Sequence, residues 1–154
     1  MQMISESIID KVVDRFETKP DDLSNVYKEL AAEQPAIIAM LYSTDLKTLT
    51  DEETDLLFFI VAVLYESIKA KNGQLAQVEP EQMEVADDRN WGTMMSAGNG
   101  NFRERITPFF KEYLQEDLLA FAEDALLDDD DQVVSGIGRE AIFVTAKTVI
   151  DVLT

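Results

Sequence analysis

The sequence contains no histidine and no cysteine among its 154 residues. Without them the chain cannot form a Ser-His or Cys-His nucleophile pair, an ordinary zinc site or a disulfide. It also has no side chain whose unperturbed pKa lies near neutrality. Enzymatic interpretations are therefore restricted to carboxylates, lysines, serines and a hard metal ion such as magnesium.

Basic side chains are scarce as well. The chain has 13 lysines and arginines against 31 acids, which gives a formal net charge of −18. A surface of this charge repels phosphate, so we expect no general nucleic-acid binding. Two alternatives stay open, because such a surface suits a basic partner and also serves solubility alone.

No hydrophobic run is long enough for a membrane span. The longest extends from Leu56 to Tyr65, whereas a spanning helix needs about 20 apolar residues. The first ten residues lack the basic region and the apolar stretch of a signal peptide. Because the chain also lacks cysteine, we expect a cytoplasmic protein without a membrane segment.

That same run marks the helix around which the fold is predicted to form. Thr50 and Glu53 have the spacing of a capping box, and Gly73 provides a left-handed stop. Between them, the apolar residues of Leu56–Tyr65 would cover every face of a helix. We therefore expect this helix to be buried on all sides.

Helical periodicity predicts the remaining elements. Helices are expected near residues 4–17, 21–30, 35–42, 81–90, 108–127 and from Asp131 or Gln132 onward, with a loop to Gly138 as the alternative start of the last one. Pro108 is placed at the first position of its helix, and Tyr42 on the buried side of the third. Residues 91–95 either extend a helix or form a loop. No segment has the pattern of a hairpin, so a single all-α domain over residues 1–154, a bundle of six or seven helices, is predicted.

A weak internal duplication, with halves 1–73 and 80–154, is a further prediction. One offset pairs Lys28, Glu29, Glu33 and Ala39 with Lys111, Glu112, Glu116 and Ala122, and an offset one residue longer pairs Phe59 and Ala62 with Phe143 and Ala146. Chance similarity among acidic helices explains the same matches and stays open as the alternative.

Carboxylates at helical spacing suggest a metal site. Glu81, Glu84 and Asp88 share one helix face, and Glu52 and Asp55 share another at the start of the central helix. If the two faces met, they would hold magnesium or manganese through oxygen ligands, as in an all-α hydrolase of a phosphorylated small molecule. In a chain with 31 acids, solvated helix faces produce the same spacing.

The segment from Trp91 to Arg105 is a candidate anion site. Glycines around Asn99 allow backbone N–H groups to turn inward, and the following helix presents a positive end. Arg103 and Arg105 would add charge to a site for phosphate or carboxylate, with Trp91 as an aromatic wall. The alternative is a surface loop that Trp91 anchors to the core.

The residues from Glu116 to Asp131 include eight acids and no base. This surface would steer a basic protein into contact or imitate a phosphate backbone, and a solvated face is the alternative. The leading hypothesis is thus a non-catalytic interaction or regulatory protein without a cofactor, with an unidentified partner that is basic or a second copy of the chain. The alternative is the magnesium- or manganese-dependent hydrolase.

Overall fold

The computed structural model describes residues 1–43, 46–127 and 136–154, and every regular element in these ranges is a helix. In chain order they are α1 (Glu6–Thr18), α2 (Pro20–Glu33), α3 (Pro35–Leu41), α4 (Asp51–Asn72), α5 (Pro80–Met95), α6 (Phe102–Phe110), α7 (Glu116–Leu127) and α8 (Gly136–Leu153). The predicted all-α bundle is confirmed. It has eight described helices instead of the six or seven predicted.

The predicted long helix from Pro108 is wrong, because two helices occupy its place. Pro108 lies inside α6, which begins at Phe102. A proline has no N–H to donate, so the carbonyl of Glu104 loses its helical hydrogen bond there, and α6 ends two residues later at Phe110. In the turn before α7, Glu112 adopts a φ of +54°. The Thr-Pro pair signals a helix start, but Asn101 already caps α6 by accepting from the N–H of Glu104.

The structure also decides two helix boundaries for which the sequence left alternatives, the end of α5 and the start of α8. Helix α5 continues to Met95, so residues 91–95 extend the helix. In α8 the residues from Gly136 to Gly138 are already helical, which contradicts the alternative of a loop to Gly138. The predicted start at Asp131 or Gln132 lies outside the described residues.

Helix α4 begins and ends at the predicted residues, but Gly73 does not adopt the predicted left-handed helical conformation. The Thr50 hydroxyl accepts from the N–H of Glu53 at 3.1 Å, and the Glu53 carboxylate accepts from the N–H of Thr50 at 2.9 Å. Helix α4 ends before Gly73, whose φ is +76°. Its ψ of −153° lies outside the left-handed helical region, so the stop uses a conformation that only glycine adopts readily.

The centre of the bundle contains two helices. In α4 the six consecutive residues 60–65 are buried, which covers all faces, although Leu56, Phe58 and Phe59 stay half-buried. In α8 all ten residues 141–150 are buried, and α8 packs directly against α4. Helices α1, α2 and α7 also pack on α4, and α5 and α7 pack on α8. The sequence singled out α4 alone, because the apolar run of α8 is interrupted by Thr145, Lys147 and Thr148.

A buried glutamine fastens the segment that precedes α5. Gln34, directly before α3, is fully buried. Its amide nitrogen donates to the carbonyl of Ala76 at 3.0 Å, and its oxygen accepts from the N–H of Val78 at 2.9 Å. The linker between α4 and α5 is thereby held against the first half of the chain.

A second glutamine does the same for the segment that precedes α1. Gln115, directly before α7, is 3% exposed. Its amide nitrogen donates to the carbonyl of Gln2 at 3.1 Å, and its oxygen accepts from the N–H of Ile4 at 3.0 Å. We call residues 2–5 and 76–79 the lead-in segments.

Candidate functional site

The structure does not bring the predicted metal ligands together. All five carboxylates are exposed, and four of them border three different depressions: Asp55 one beside α2 and α3, Glu81 a groove beside α8, and Glu84 and Asp88 a third beside Trp91. Within the described ranges, no three acids cluster closely enough to hold a metal ion. The geometry therefore gives the magnesium- or manganese-dependent hydrolase no assembled site.

Arg105, predicted to bind an anion, instead fastens the loop after α5. Its Nε donates to Glu140 on α8 at 2.6 Å, and its terminal nitrogens donate to the carbonyls of Gly98 and, at 3.1 Å, Met94. The negative charge of Glu140 balances the positive charge of the Arg105 guanidinium. Because its donors and its charge already have partners, Arg105 is poorly placed to bind a phosphate.

The other predicted anion ligands do not converge on one site. Arg103 is 71% exposed and reaches Glu123 on α7 at 3.9 Å, and Asn99 is exposed in the loop. Trp91 is half-buried against the core and lines the depression that includes Glu84 and Asp88. This placement agrees with the alternative in which Trp91 anchors the segment to the core.

A buried polar network that the sequence reasoning missed joins α5 to α8. The ammonium of Lys147, 8% exposed, lies 2.8 and 3.0 Å from the two carboxylate oxygens of Asp151 and 3.3 Å from Oδ1 of Asn90. The amide nitrogen of Asn90 donates to Asp151 at 3.1 Å and to Thr148 at 3.0 Å. The sequence signal that could have revealed this network is a lysine four residues before an aspartate in an otherwise apolar helix.

Tyr113 completes this polar network from the turn between α6 and α7. Its hydroxyl donates to Asp151 at 2.6 Å, and its ring centre lies 4.4 Å from the Lys147 ammonium. Burial and the hydrogen bond to Asp151 raise the pKa of Tyr113, so the hydroxyl remains a donor. An open groove of about 640 Å³ borders Asp151. Because Lys147 uses all three of its protons, we interpret the network as a fastening between helices and not as a catalytic site.

An acidic cleft of about 250 Å³ lies between α1 and α7. Four carboxylates line it, those of Glu6, Asp10, Asp117 and Asp124. None of the four forms a salt bridge with any lysine or arginine, all of which belong to the described part of the chain. The cleft thus joins the predicted acidic surface to α1, while Asp128–Asp131 lie outside the described residues.

An aromatic depression of about 420 Å³ lies where α2, the end of α3 and α4 meet. Tyr27, Tyr42 and Phe58 line it, together with Thr54 and Asp55. The prediction that Tyr42 is buried is wrong, because this side chain is 66% exposed. It immediately follows α3, where the helical spacing that indicated burial no longer applies.

No described helix has the length and apolar character that a membrane crossing requires. Compared with known proteins, the chain matches no family model, no curated protein and no solved structure at a significant level. A function must therefore be inferred from the geometry of these surfaces.

Proposed function

We propose that this chain is a non-catalytic interaction protein that binds a basic segment of a protein partner in the acidic cleft between α1 and α7. The observation that carries the proposal is the set of four carboxylates around one depression, none of them in a salt bridge. Neighbouring like charges raise the electrostatic energy of the free protein, and a bound cation lowers it.

The mixed lining of the acidic cleft suits a lysine or arginine side chain. Ile9, Ala120 and Phe121 line the cleft together with the four carboxylates. The methylene stem of a basic side chain would pack on these apolar groups while its charged end reaches the acids. The sequence adds four more acids directly after α7, which would increase the rate of encounter with a basic partner.

The nature of the partner follows from the charge. A second copy of this chain carries the same net charge of −18, so a basic protein is the better occupant of the acidic cleft. Absence of histidine and cysteine supports a role without catalysis, and absence of cysteine supports a cytoplasmic location. Regulation by such binding is part of the same proposal.

The experiment compares capture by two doubly substituted chains of equal charge. Asp10→Asn with Asp124→Asn removes two exposed carboxylates from the acidic cleft, and Asp21→Asn with Asp88→Asn removes two exposed carboxylates elsewhere. We expect a lysine-rich peptide to bind the parent chain with an affinity that falls as salt rises. Affinity should fall about fivefold more in the cleft variant than in the control, since each partly desolvated pair contributes roughly 0.5–1 kcal/mol.

Proteins captured from the native lysate at low and high salt, identified by mass spectrometry, then provide the partner. Capture that depends on low salt and is lost in the cleft variant supports the proposal. Equal binding by the two variants would show that only the overall charge matters, and would contradict it.

A further inference from the structure

We propose that the aromatic depression formed by Tyr27, Tyr42 and Phe58 binds a quaternary or multiply methylated ammonium group. The site is formed by α2, α4 and Tyr42 directly after α3, and it shares no residue with the acidic cleft. It therefore goes beyond the proposed function, and either could fail without the other.

Three aromatic rings in different orientations surround the depression. The ring centres of Tyr27 and Phe58 lie 6.0 Å apart with planes at 82°, and those of Tyr42 and Phe58 lie 5.5 Å apart at 58°. The face of an aromatic ring carries partial negative charge, so differently oriented rings around one space stabilise a cation held between them.

These rings have no cation of their own. Elsewhere the chain places a lysine or arginine over an aromatic ring, as Arg15 over Phe16, Lys69 over Tyr65 and Arg139 over Phe102. Among the described residues no such contact involves Tyr27, Tyr42 or Phe58, and no basic side chain lines the depression. The space is thus open to a cation from outside the chain.

A carboxylate gives the depression a matching charge. Asp55, exposed one turn into α4, lines it beside Tyr27. Burial, and then the negative charge of Asp55, raise the pKa of Tyr27, as expected for a carboxylate near this ring. The exposed acids Asp51 and Glu52 in the first turn of α4 offset the positive end of the helix.

The composition of the walls favours methylated nitrogen over a primary ammonium. A primary ammonium is strongly hydrated and needs three acceptors to replace its water, whereas the lining of the depression is mostly apolar and contains one charged side chain, Asp55. A quaternary ammonium donates no hydrogen bond, so ring faces and methyl contacts are sufficient. Free choline-like molecules and trimethyllysine side chains present the same group.

The experiment measures binding of choline and of its neutral isostere, 3,3-dimethylbutan-1-ol, to the full chain by proton NMR. We expect the methyl signal of choline to shift upfield through the ring currents, with binding at least about fivefold tighter than that of the isostere. Tyr42→Leu, at an exposed position, should weaken choline binding about threefold or more and leave that of the isostere nearly unchanged.

Two charge variants provide the matched control. Asp55→Asn should weaken choline binding about threefold, and Asp88→Asn, an equal change of net charge at another exposed site, should leave it unchanged. Melting temperatures establish that each variant is folded. Absence of a choline shift, equal binding of choline and isostere, or unchanged binding in Tyr42→Leu would overturn the proposal. A trimethyllysine peptide, compared with its unmethylated form and with choline, shows which source of the group binds more tightly.

A different observation supports a second inference, that the chain is an internal duplication of a four-helix unit. The two glutamines make the same contacts: Gln34 holds residues 76 and 78, and Gln115 holds residues 2 and 4. Each glutamine immediately precedes the third helix of its half, and each lead-in segment ends one residue before the first helix of the other half.

Packing between the halves is reciprocal in the same way. Helix α1 packs on α2, α4 and α7, and α5 packs on α6, α8 and α3. The carbonyls of Gln34 and Gln115 accept from the N–H groups of Ile38 and Leu119, each four residues on. The register differs from that of the sequence matches, since Gln34 corresponds to Gln115 at an offset two residues shorter than the one that pairs Lys28 with Lys111.

Exchange of the two lead-in segments within one chain tests this equivalence. We expect residues 2–5 and 76–79 to replace each other with a melting temperature lowered by less than about 8 °C, because the contacts to glutamine are made by the backbone and Ile4 and Val78 are both buried. The control, Gln77→Val with Val78→Gln, keeps the composition but buries a polar side chain, and should be far less stable. If the exchange destabilises the chain as much as this control, the duplication is contradicted.

Discussion

Replacement of Asp151 by alanine is expected to lower the free energy of unfolding by about 3–5 kcal/mol, because it leaves a buried ammonium without its counter-charge. Lys147, 8% exposed, would retain only Asn90 as an acceptor. The Tyr113 hydroxyl would lose its acceptor as well. Urea denaturation followed by circular dichroism measures the change.

Two further variants separate the loss of charge from the loss of the side chain. Asp88→Ala, at an exposed position on α5, should change the free energy of unfolding by no more than about 0.5 kcal/mol. Lys147→Met with Asp151→Leu removes both charges and should recover much of the stability lost in the single variant. If Asp151→Ala costs no more than Asp88→Ala, the polar network does not fasten α5 to α8.

Phe143→Ala is expected to lower the free energy of unfolding by a similar amount, about 3–5 kcal/mol, because it leaves a cavity where α6 packs on α8. The Phe143 side chain is fully buried. Its ring centre lies 5.4 Å from that of Phe109, 5.8 Å from Phe102 and 6.4 Å from Phe110, so one substitution removes three aromatic contacts.

A phenylalanine on the other central helix is the matched control. Phe59 is half-buried and has one ring partner, Phe16, at 6.4 Å. Phe59→Ala should therefore cost less than half as much as Phe143→Ala in the same denaturation experiment. Equal losses would mean that the aromatic cluster around Phe143 adds little beyond the burial of one ring.

The sequence predicted best the features that local chemistry determines. The capping box of Thr50 and Glu53 depends on residues three apart, and the unbroken apolar run of α4 requires burial whatever its neighbours are. The helix start predicted at Pro108 was wrong for a related reason. Thr-Pro is a good helix start, but the cap at Asn101 lies seven residues earlier and the helix formed there continues through the proline.

The sequence predicted the acidic surface on α7 that forms one side of the cleft. The rest of the candidate sites could not be predicted, because their residues are distant in the sequence. The polar network joins Asn90, Tyr113 and Asp151, which lie in three different parts of the chain. The acidic cleft and the aromatic depression likewise depend on how helices pack. Conversely, the predicted metal and anion sets followed spacing along single helices and loops, which does not establish that their side chains converge.

The contacts of Gln115 also bear on how the chain folds while it is being synthesised. The carbonyl that its amide nitrogen contacts, that of Gln2, lies 113 positions earlier. Helix α1 therefore leaves the ribosome long before the glutamine that fastens its lead-in segment and before α7, which packs on it. During that interval the apolar stripe of Ile9, Val12 and Phe16 has only part of its final cover. The first helix can therefore take its complete native packing only after α7, which ends at Leu127, has left the ribosome.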